Sequence, residues 1–187
     1  MTTLALTCPE WTAELPAPLH GEVPVHALPA RPDRADLDPL LTPADGSPTP
    51  TRVVVAGTDA DLAAVVLRLL RTERLAEVAV AYLPADRDSA VAATWGLPTA
   101  PASAATLARH GEPDLVPLVR DDVGGVLLGR GELRPLRGVV YCDDQLVLRG
   151  QANRLVVTPV APTGVDVRAS RVGLLGLVGR RTNAALG

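Results

Sequence analysis

The segment from Val53 to Leu62 constrains the fold of this chain more than any other part of its sequence. It runs Val-Val-Val-Ala-Gly-Thr-Asp-Ala-Asp-Leu, an apolar stretch followed by a glycine and the first residues of an amphipathic repeat. This pattern predicts a strand inside a parallel sheet, then a helix with Asp59 or Asp61 as its N-cap. A strand, turn and helix of this kind form the junction at which α/β proteins commonly bind phosphates or nucleotides.

The sequence around this segment predicts an α/β first half, residues 1–110, resembling a nucleotide-binding lobe. Strands and helices alternate with short turns, which favours right-handed βαβ units and a parallel sheet. A proline-rich linker at residues 29–51 interrupts the pattern. The predicted strands are Leu4–Thr7, Val23–Leu28, Arg52–Ala56 and Glu77–Leu83, and the predicted helices are Ala35–Leu41, the one after Gly57, Ser89–Trp95 and Pro101–Arg109.

The second half, residues 111–187, has a different pattern. Short apolar segments alternate there with Asp-Asp, Gly-Gly and Pro, which is typical of antiparallel strands joined by tight turns, here Asp121–Gly125 and Cys142–Gln145. An apolar run at Val172–Val178 has no assigned role. The predicted strands are Leu115–Arg120, Gly125–Leu128, Arg137–Cys142, Gln145–Leu148, Arg154–Pro159 and Gly164–Ala169. The fold class is therefore α/β followed by mostly antiparallel β, with the second half forming a β-sandwich-like lobe.

Composition and charge exclude several kinds of chemistry. The 187 residues carry a net charge of -3 with the basic residues scattered, so no nucleic-acid partner is expected. Every basic residue other than histidine is arginine. Without lysine the chain has no Walker-type phosphate loop, no Schiff-base nucleophile and no lysine general base.

The cysteines and the apolar segments indicate the compartment. Cys8 and Cys142 are far apart in sequence and form neither a disulfide framework nor a zinc spacing, so two reduced thiols are expected. No apolar run reaches the roughly 18 residues that a membrane span needs, and the N-terminus lacks the basic start of a signal peptide. We expect a cytoplasmic protein, with peripheral contact to a membrane left open.

The first candidate site is the turn that contains Gly57, Thr58, Asp59, Ala60 and Asp61. A helix N-terminus offers free N–H groups and a positive dipole end, both of which favour phosphate. The two carboxylates would repel a bare phosphate but could hold one through Mg²⁺. The alternative is that they only cap the helix.

The second candidate site is the turn after the next strand, which includes Asp86, Arg87, Asp88 and Ser89. Because it follows a neighbouring parallel strand, it should lie beside the first turn. Arg87 is expected to pair either with a phosphate or with a nearby aspartate. The histidines and the remaining aspartate pairs lack metal-ligand spacing, so no metal site is assigned.

These two turns resemble the diacylglycerol kinase catalytic domain, a family that includes sphingosine kinases and is similar in fold to NAD kinases. That family has a strand followed by Gly-Gly-Asp-Gly-Thr and a helix. Gly57 matches the first glycine and Asp59 the aspartate, whereas Thr58 and Ala60 replace glycines and Asp61 replaces the threonine. A side chain at either glycine position narrows the space for a triphosphate.

The resemblance extends over Arg52 to Ala169, with a shortened N-terminal part. In the family a second strand leads to a glycine-rich loop and a helix that ends in Gly-Ile-Pro; here the spacing from Pro84 to Pro98 is kept while the loop has become charged. The resemblance implies a truncated two-lobed architecture with a nucleotide cleft, and ATP with Mg²⁺ as cofactors if the protein is active. The nucleotide-binding positions that it implies are Gly57, Thr58, Asp59, Asp61, Asp86, Arg87, Asp88 and Ser89.

Three functions follow as alternatives. The first is a lipid-kinase-like protein with impaired catalysis that binds or scaffolds a partner, which would be another protein, a second copy or a lipid. The second is an active ATP-dependent diacylglycerol or lipid kinase that uses Asp59 and Asp61 with Mg²⁺. The third is an unrelated α/β protein that binds a small ligand. No residue is assigned a catalytic role.

Overall fold

A computed structural model describes residues 2–42, 49–142, 144–162, 164–170 and 183–185. The chain divides into two compact units, Met1–Asp114 and Leu115–Gly187. The apolar run Val172–Val178 lies outside the described residues. None of the helices in the described ranges combines the length and the apolar character that crossing a bilayer requires.

The first unit is built on a parallel sheet in the order β2-β1-β3-β4, as the alternating pattern predicted. Its strands are β1 (Thr3–Thr7), β2 (Val25–Ala27), β3 (Arg52–Gly57) and β4 (Ala79–Pro84). Its helices are α1 (Arg34–Leu41), α2 (Asp59–Arg71), α3 (Ala90–Trp95) and α4 (Pro101–His110).

The central strand β3 is buried along its whole length, which explains its continuous apolar sequence. Val54 and Ala56 pack in a core cluster with the helix α4 residues Ala104 and Ala108. Because side chains alternate along a strand, Val53 and Val55 point to the opposite face of the sheet. The buried stripe of helix α2 consists of Asp61, Leu62, Val65, Val66 and Leu69.

One element of this unit, strand β2, differs from the prediction, whereas helix α1 agrees with the predicted segment Ala35–Leu41. Strand β2 covers only Val25–Ala27 and is exposed, because it lies at the edge of the sheet and pairs only with β1. Helix α1 continues through Pro39, although proline removes a backbone donor there. Asp33 and Asp36 form a capping box that supports the start of this helix.

Arg52, at the start of β3, has a structural role. Its side chain is buried, and its guanidinium donates hydrogen bonds to the carbonyls of Ala108 at 2.7 Å and Gly111 at 2.8 Å. These carbonyls stand at the C-terminus of helix α4, where the helix dipole favours a positive charge. The arginine therefore ties the sheet to the end of this helix.

The second unit is antiparallel, as predicted. Its pairs include β5 with β6 and β8 with β9, so both predicted hairpins are present. Strands β7, β10, β11 and β12 form a further sheet in the order β12-β11-β10-β7. The strands are β5 (Val119–Arg120), β6 (Val126–Leu127), β7 (Gly131–Leu133), β8 (Leu136–Cys142), β9 (Gln145–Ala152), β10 (Arg154–Val160), β11 (Gly164–Ser170) and β12 (Asn183–Ala185).

The sequence pattern missed strand β7 and overestimated β5. Gly131–Leu133 has too few apolar residues to stand out as a strand, and its pairing with β10 defines it. Of the predicted segment Leu115–Arg120 only the last two residues form a strand, because Leu115 is fully exposed and Pro117 has no backbone donor. The core of the unit gathers Cys142, Val147, Leu155 and Val167.

Candidate functional site

The two predicted turns lie side by side. Strands β3 and β4 pair in parallel with Gly57 opposite Pro84, so the segments that leave these strands start at the same edge of the sheet. The backbone N–H of Ala85 donates to the Gly57 carbonyl at 2.8 Å, which extends the contact beyond the strands. The structure therefore brings together the residues that the sequence placed on two separate loops.

The N-cap of helix α2 is Thr58, so the predicted cap at Asp59 or Asp61 is wrong by one or three positions. The Thr58 hydroxyl accepts from the Asp61 N–H at 3.2 Å, and the Asp61 carboxylate accepts from the Thr58 N–H at 2.8 Å. This is a capping box with aspartate as its acidic member. The spacing of Thr58 and Asp61 is the sequence signal that identifies it.

The other oxygen of the Asp61 carboxylate also has a partner. It accepts from the backbone N–H of Arg31 at 2.6 Å, which joins the segment after β2 to the first turn. Arg31 has a φ of +50°, a left-handed conformation that is uncommon for a residue other than glycine. Asp61 itself is only 1% exposed, and sequence reasoning had no signal for this long-range contact.

Asp61 also fills the space beside Gly57. A β-carbon added at Gly57 would stand 2.7 Å from an Asp61 carboxylate oxygen and 3.0 Å from the Cys8 β-carbon. Glycine is therefore needed here because the protein's own side chains approach the backbone closely. In a phosphate-binding turn the same closeness would serve a ligand.

Asp59 reaches across to the second turn. One of its oxygens accepts from the backbone N–H groups of Ala90 at 2.8 Å and Val91 at 3.2 Å, at the start of helix α3. The other accepts from the hydroxyls of Tyr82 at 2.9 Å and Ser89 at 2.5 Å. A carboxylate offers about four lone-pair positions, so its acceptor capacity is filled.

Tyr82 is a member of the site that the sequence did not single out. It lies on β4, is buried, and its hydroxyl also contacts the Gly57 carbonyl at 3.1 Å. Burial, reinforced by the negative charge of Asp59, raises the pKa of Tyr82 well above its usual value. The phenol therefore stays protonated, and its single O–H is shared between the Asp59 carboxylate and the Gly57 carbonyl.

The remaining residues of the second turn differ in their contacts. Ser89 is buried and is the N-cap of helix α3, accepting from the Ala92 N–H at 2.9 Å. Asp86 accepts from the Asp88 N–H at 2.8 Å and so closes a local turn. Arg87 is exposed, and no ion pair joins it to an aspartate among the residues that the structure describes.

Cys8 lies against the first turn at the end of β1. Its N–H donates to the Ala56 carbonyl at 2.9 Å, and its side chain is buried. Burial, with a smaller contribution from the negative charge of Asp61, raises the pKa of this thiol to about 11. The Cys8 thiol is therefore protonated at neutral pH, and no disulfide joins it to Cys142.

Possible metal ligands and cavities were compared with the positions of the two turns. Within the described ranges, no group of three or more histidine, cysteine, aspartate or glutamate side chains is arranged to hold a metal ion. A shallow apolar cavity of about 400 Å³ lies instead along the β2 edge of the first unit. Its lining consists of Thr7, Ala13, Glu14, Leu15, His20, Gly21, Val23 and Val25.

The chain is similar to known proteins in structure. No protein-family model and no curated protein sequence matches the chain. The crystal structure of a diacylglycerol kinase from Bacillus anthracis str. Sterne aligns with a TM-score of 0.63 at 16% identity, over 91% of this chain and 75% of that chain. Another structure from this organism, assigned as a diacylglycerol kinase, aligns with a TM-score of 0.66 at 14% identity, over 91% and 74%. The chain therefore has the fold of these diacylglycerol kinase structures.

Proposed function

We propose that this chain is a lipid-kinase-like protein whose phosphate site is closed and which binds or scaffolds a partner instead of transferring a phosphoryl group. The observation that carries the proposal is the position of the Asp61 carboxylate beside Gly57. The oxygen atoms of Asp61 occupy the place where a phosphate would approach the turn. One of them accepts from the Thr58 N–H and the other from the Arg31 N–H, and the negative charge of the carboxylate repels a phosphate.

The hydrogen bonds of Asp59 support the same proposal. Its two oxygens accept from Tyr82, Ser89, Ala90 and Val91, so binding Mg²⁺ through Asp59 would break several of these bonds. Each hydrogen bond to a charged group contributes roughly 1.5 to 3 kcal/mol. The residues present therefore do not fit Mg²⁺-ATP in this conformation of the turns.

Exposed apolar side chains favour a binding role. Val139, Tyr141 and Leu146 are large apolar residues exposed on the β8–β9 ribbon. Val139 pairs with Arg149 and Tyr141 pairs with Leu146, so the three share one face of the ribbon. Exposed apolar groups rimmed by arginine are common at protein interfaces. Sedimentation of the full chain at micromolar concentration tests whether it associates with a second copy.

The alternative is an active ATP-dependent diacylglycerol or lipid kinase. It is favoured by the shared fold and by Gly57 and Asp59, which match the family pattern. Activity would require the Asp61 and Asp59 carboxylates to leave their present partners when nucleotide binds. The cavity at the β2 edge is the observation that supports an unrelated small-ligand protein.

Thermal unfolding with Mg²⁺-ATP separates the two main alternatives. A nucleotide present at about 100 times its Kd would stabilise the folded state by about 2.7 kcal/mol, a shift of several degrees. We expect no shift in Tm at millimolar Mg²⁺-ATP. We also expect Asp61→Thr to gain nucleotide binding measurable by calorimetry, because it removes the blocking carboxylate.

The matched control is Glu73→Gln, which removes an exposed carboxylate just beyond the end of helix α2, outside both turns, and should leave nucleotide binding unchanged. A Tm shift of several degrees in the unmodified chain, abolished by Asp59→Ala, would instead support the kinase alternative. Phosphoryl transfer to diacylglycerol in mixed micelles would then be measured directly.

A further inference from the structure

Four side chains on the β7–β10 sheet of the second unit form an arginine cluster, which we define as Arg130, Glu132, Arg134 and Arg154. Arg130 and Arg134 each donate to the Glu132 carboxylate, and Arg154 reaches the same carboxylate at 3.4 Å. Glu132 pairs with Val156 in the register of β7 and β10, and Arg154 lies two residues before Val156, on the same face of β10. The three guanidinium groups therefore converge on one carboxylate.

The charges of the arginine cluster do not balance. Three guanidiniums surround one carboxylate, which leaves two positive charges on this face of the sheet. Burial raises the pKa of Glu132, but the adjacent Arg134, Arg130 and Arg154 outweigh it and hold that pKa below its usual value. The carboxylate is therefore ionised at neutral pH and still neutralises only one arginine.

The arginines also keep donors for a ligand. Each guanidinium has five N–H groups, and each contacts Glu132 through a single terminal nitrogen. The side chains of Arg130, Arg134 and Arg154 are 49%, 58% and 39% exposed, and none pairs with another carboxylate among the described residues. Planar donors with open positions are suited to bidentate contact with phosphate oxygens.

The sheet fixes the position of Arg154 and separates the arginine cluster from Arg168. Leu155, which neighbours Arg154, is buried in the core on the opposite side of β10. Arg168, on the next strand, contacts Asp166 at 2.5 Å, and the second oxygen of that carboxylate is buried without a described partner. Arg168 is therefore committed to Asp166, and we leave it out of the site.

We propose that the arginine cluster binds a phosphomonoester dianion, because two net positive charges and three exposed guanidinium groups around Glu132 match a doubly charged tetrahedral anion. The phosphate group has two sources, a soluble phosphate compound and the headgroup of a phosphomonoester lipid. The site is built from residues of the second unit alone and does not rest on the proposed function.

Titration followed by NMR tests the soluble source. Inorganic phosphate and glycerol 3-phosphate are added to the full chain at constant ionic strength, and the arginine Nε–Hε signals are followed. We expect saturable shifts for Arg130, Arg134 and Arg154. Affinity should fall as the pH drops below about 6, where the phosphomonoester becomes a monoanion.

Vesicles test the lipid source. Phosphatidylcholine vesicles that contain phosphatidic acid carry phosphomonoester headgroups. Phosphatidylcholine vesicles that contain phosphatidylglycerol carry phosphodiester headgroups. The amounts of the two anionic lipids are chosen so that both kinds of vesicle have the same total charge. Preference for phosphatidic acid supports the lipid source, and binding of the soluble compounds supports the soluble source. Absence of binding in both arms overturns the proposal, and so does equal binding to both kinds of vesicle when the soluble compounds do not bind.

Variants separate a built site from diffuse attraction. Arg134→Gln with Arg154→Gln should weaken binding at least about tenfold, because two charge-assisted donor groups are removed. Arg137→Gln with Arg149→Gln removes the same charge from exposed positions on the β8–β9 ribbon and should leave binding nearly unchanged. Circular dichroism verifies that both variants fold.

Lysine replacements distinguish binding through the arginine donor groups from general charge attraction. Arg134→Lys with Arg154→Lys keeps the charge and removes the planar fork of donors, so we expect most of the loss seen with glutamine. Unchanged affinity in the lysine variant would overturn the proposal in favour of general charge attraction. Tighter binding of a single-stranded oligonucleotide, lost in the glutamine variant, would overturn it in favour of nucleic acid.

Discussion

The two units of this chain use charge in opposite ways. Residues Met1–Asp114 contain 8 arginines and 15 acidic residues, a net charge of -7, whereas Leu115–Gly187 contain 10 arginines and 6 acidic residues, a net charge of +4. The total of -3 hides this division. The first unit turns Asp59 and Asp61 inward onto its own backbone, and the second unit exposes Arg130, Arg134 and Arg154 on a sheet face.

This difference shows that the total net charge does not report how charge is distributed along the chain. The scattered arginines indicated that no nucleic-acid partner is expected, and this stays a prediction. The pairing of β7 with β10 brings Arg154 to Glu132, which Arg130 and Arg134 flank in sequence. Asp59 and Asp61, the Mg²⁺ ligands of one sequence-based alternative, accept hydrogen bonds at the starts of two helices. The carboxylates of these turns are therefore structural, whereas the arginines around Glu132 stay partly exposed.

The largest effect is expected from Asp59→Ala, which tests the structural use of charge in the first unit. The substitution leaves the Ala90 and Val91 N–H groups without their acceptor, so we expect a loss of about 3 kcal/mol in the free energy of unfolding. Both tryptophans, Trp11 and Trp95, lie in this unit, so fluorescence during urea unfolding reports on it.

Asp88→Ala is the matched control, because Asp88 is an exposed aspartate in the second turn and should change stability by less than about 0.5 kcal/mol. Equal small effects of both substitutions would show that Asp59 is not a structural cap. The claim that the first unit uses its charged side chains structurally would then be wrong.

A smaller effect is expected from pH, acting on Cys8 beside the buried carboxylate. Its pKa is raised from 9.0 to about 11 in the folded state. Its contribution is therefore fully present below pH 9 and is lost as the pH rises toward 11, by roughly 2 to 3 kcal/mol. The free energy of unfolding of the unmodified chain should thus approach that of Cys8→Ala over this range. A constant difference between the two proteins would contradict this assignment.

The smallest effect is expected in the second unit, from Arg134→Gln. The ion pair with Glu132 is exposed to solvent, so its removal should change the free energy of unfolding by less than about 0.5 kcal/mol. Far-UV circular dichroism during urea unfolding measures it, with Arg137→Gln as a neighbour that lacks the ion pair. A loss above about 1 kcal/mol would mean that the arginines of the second unit are also structural.

The sequence predicted most of the fold because its signals were local. The apolar run before Gly57 and the proline at the start of helix α4 each determine the conformation of their own segment. The likeness to diacylglycerol kinase structures followed from the order and spacing of such segments. Strand β7 was missed because its only strong signal is its pairing with β10.

The candidate site was predicted less completely because its contacts join distant residues. The adjacency of the two turns follows from parallel pairing and was predicted. The contacts from Arg31 to Asp61 and from Asp59 to Ala90 span 30 and 31 positions and have no local pattern. The cap at Thr58 was available from the spacing of Thr58 and Asp61 but was assigned to the aspartates.

The bridge made by Asp59 has a consequence for the dynamics of the first unit. The Asp59 carboxylate accepts hydrogen bonds from Ser89, Ala90 and Val91, so the start of helix α3 separates from the start of helix α2 only when these three bonds break. The Ala90 and Val91 amide protons should therefore exchange with solvent at a common, slow rate. The two turns behave as one cooperative opening unit and not as two independent loops.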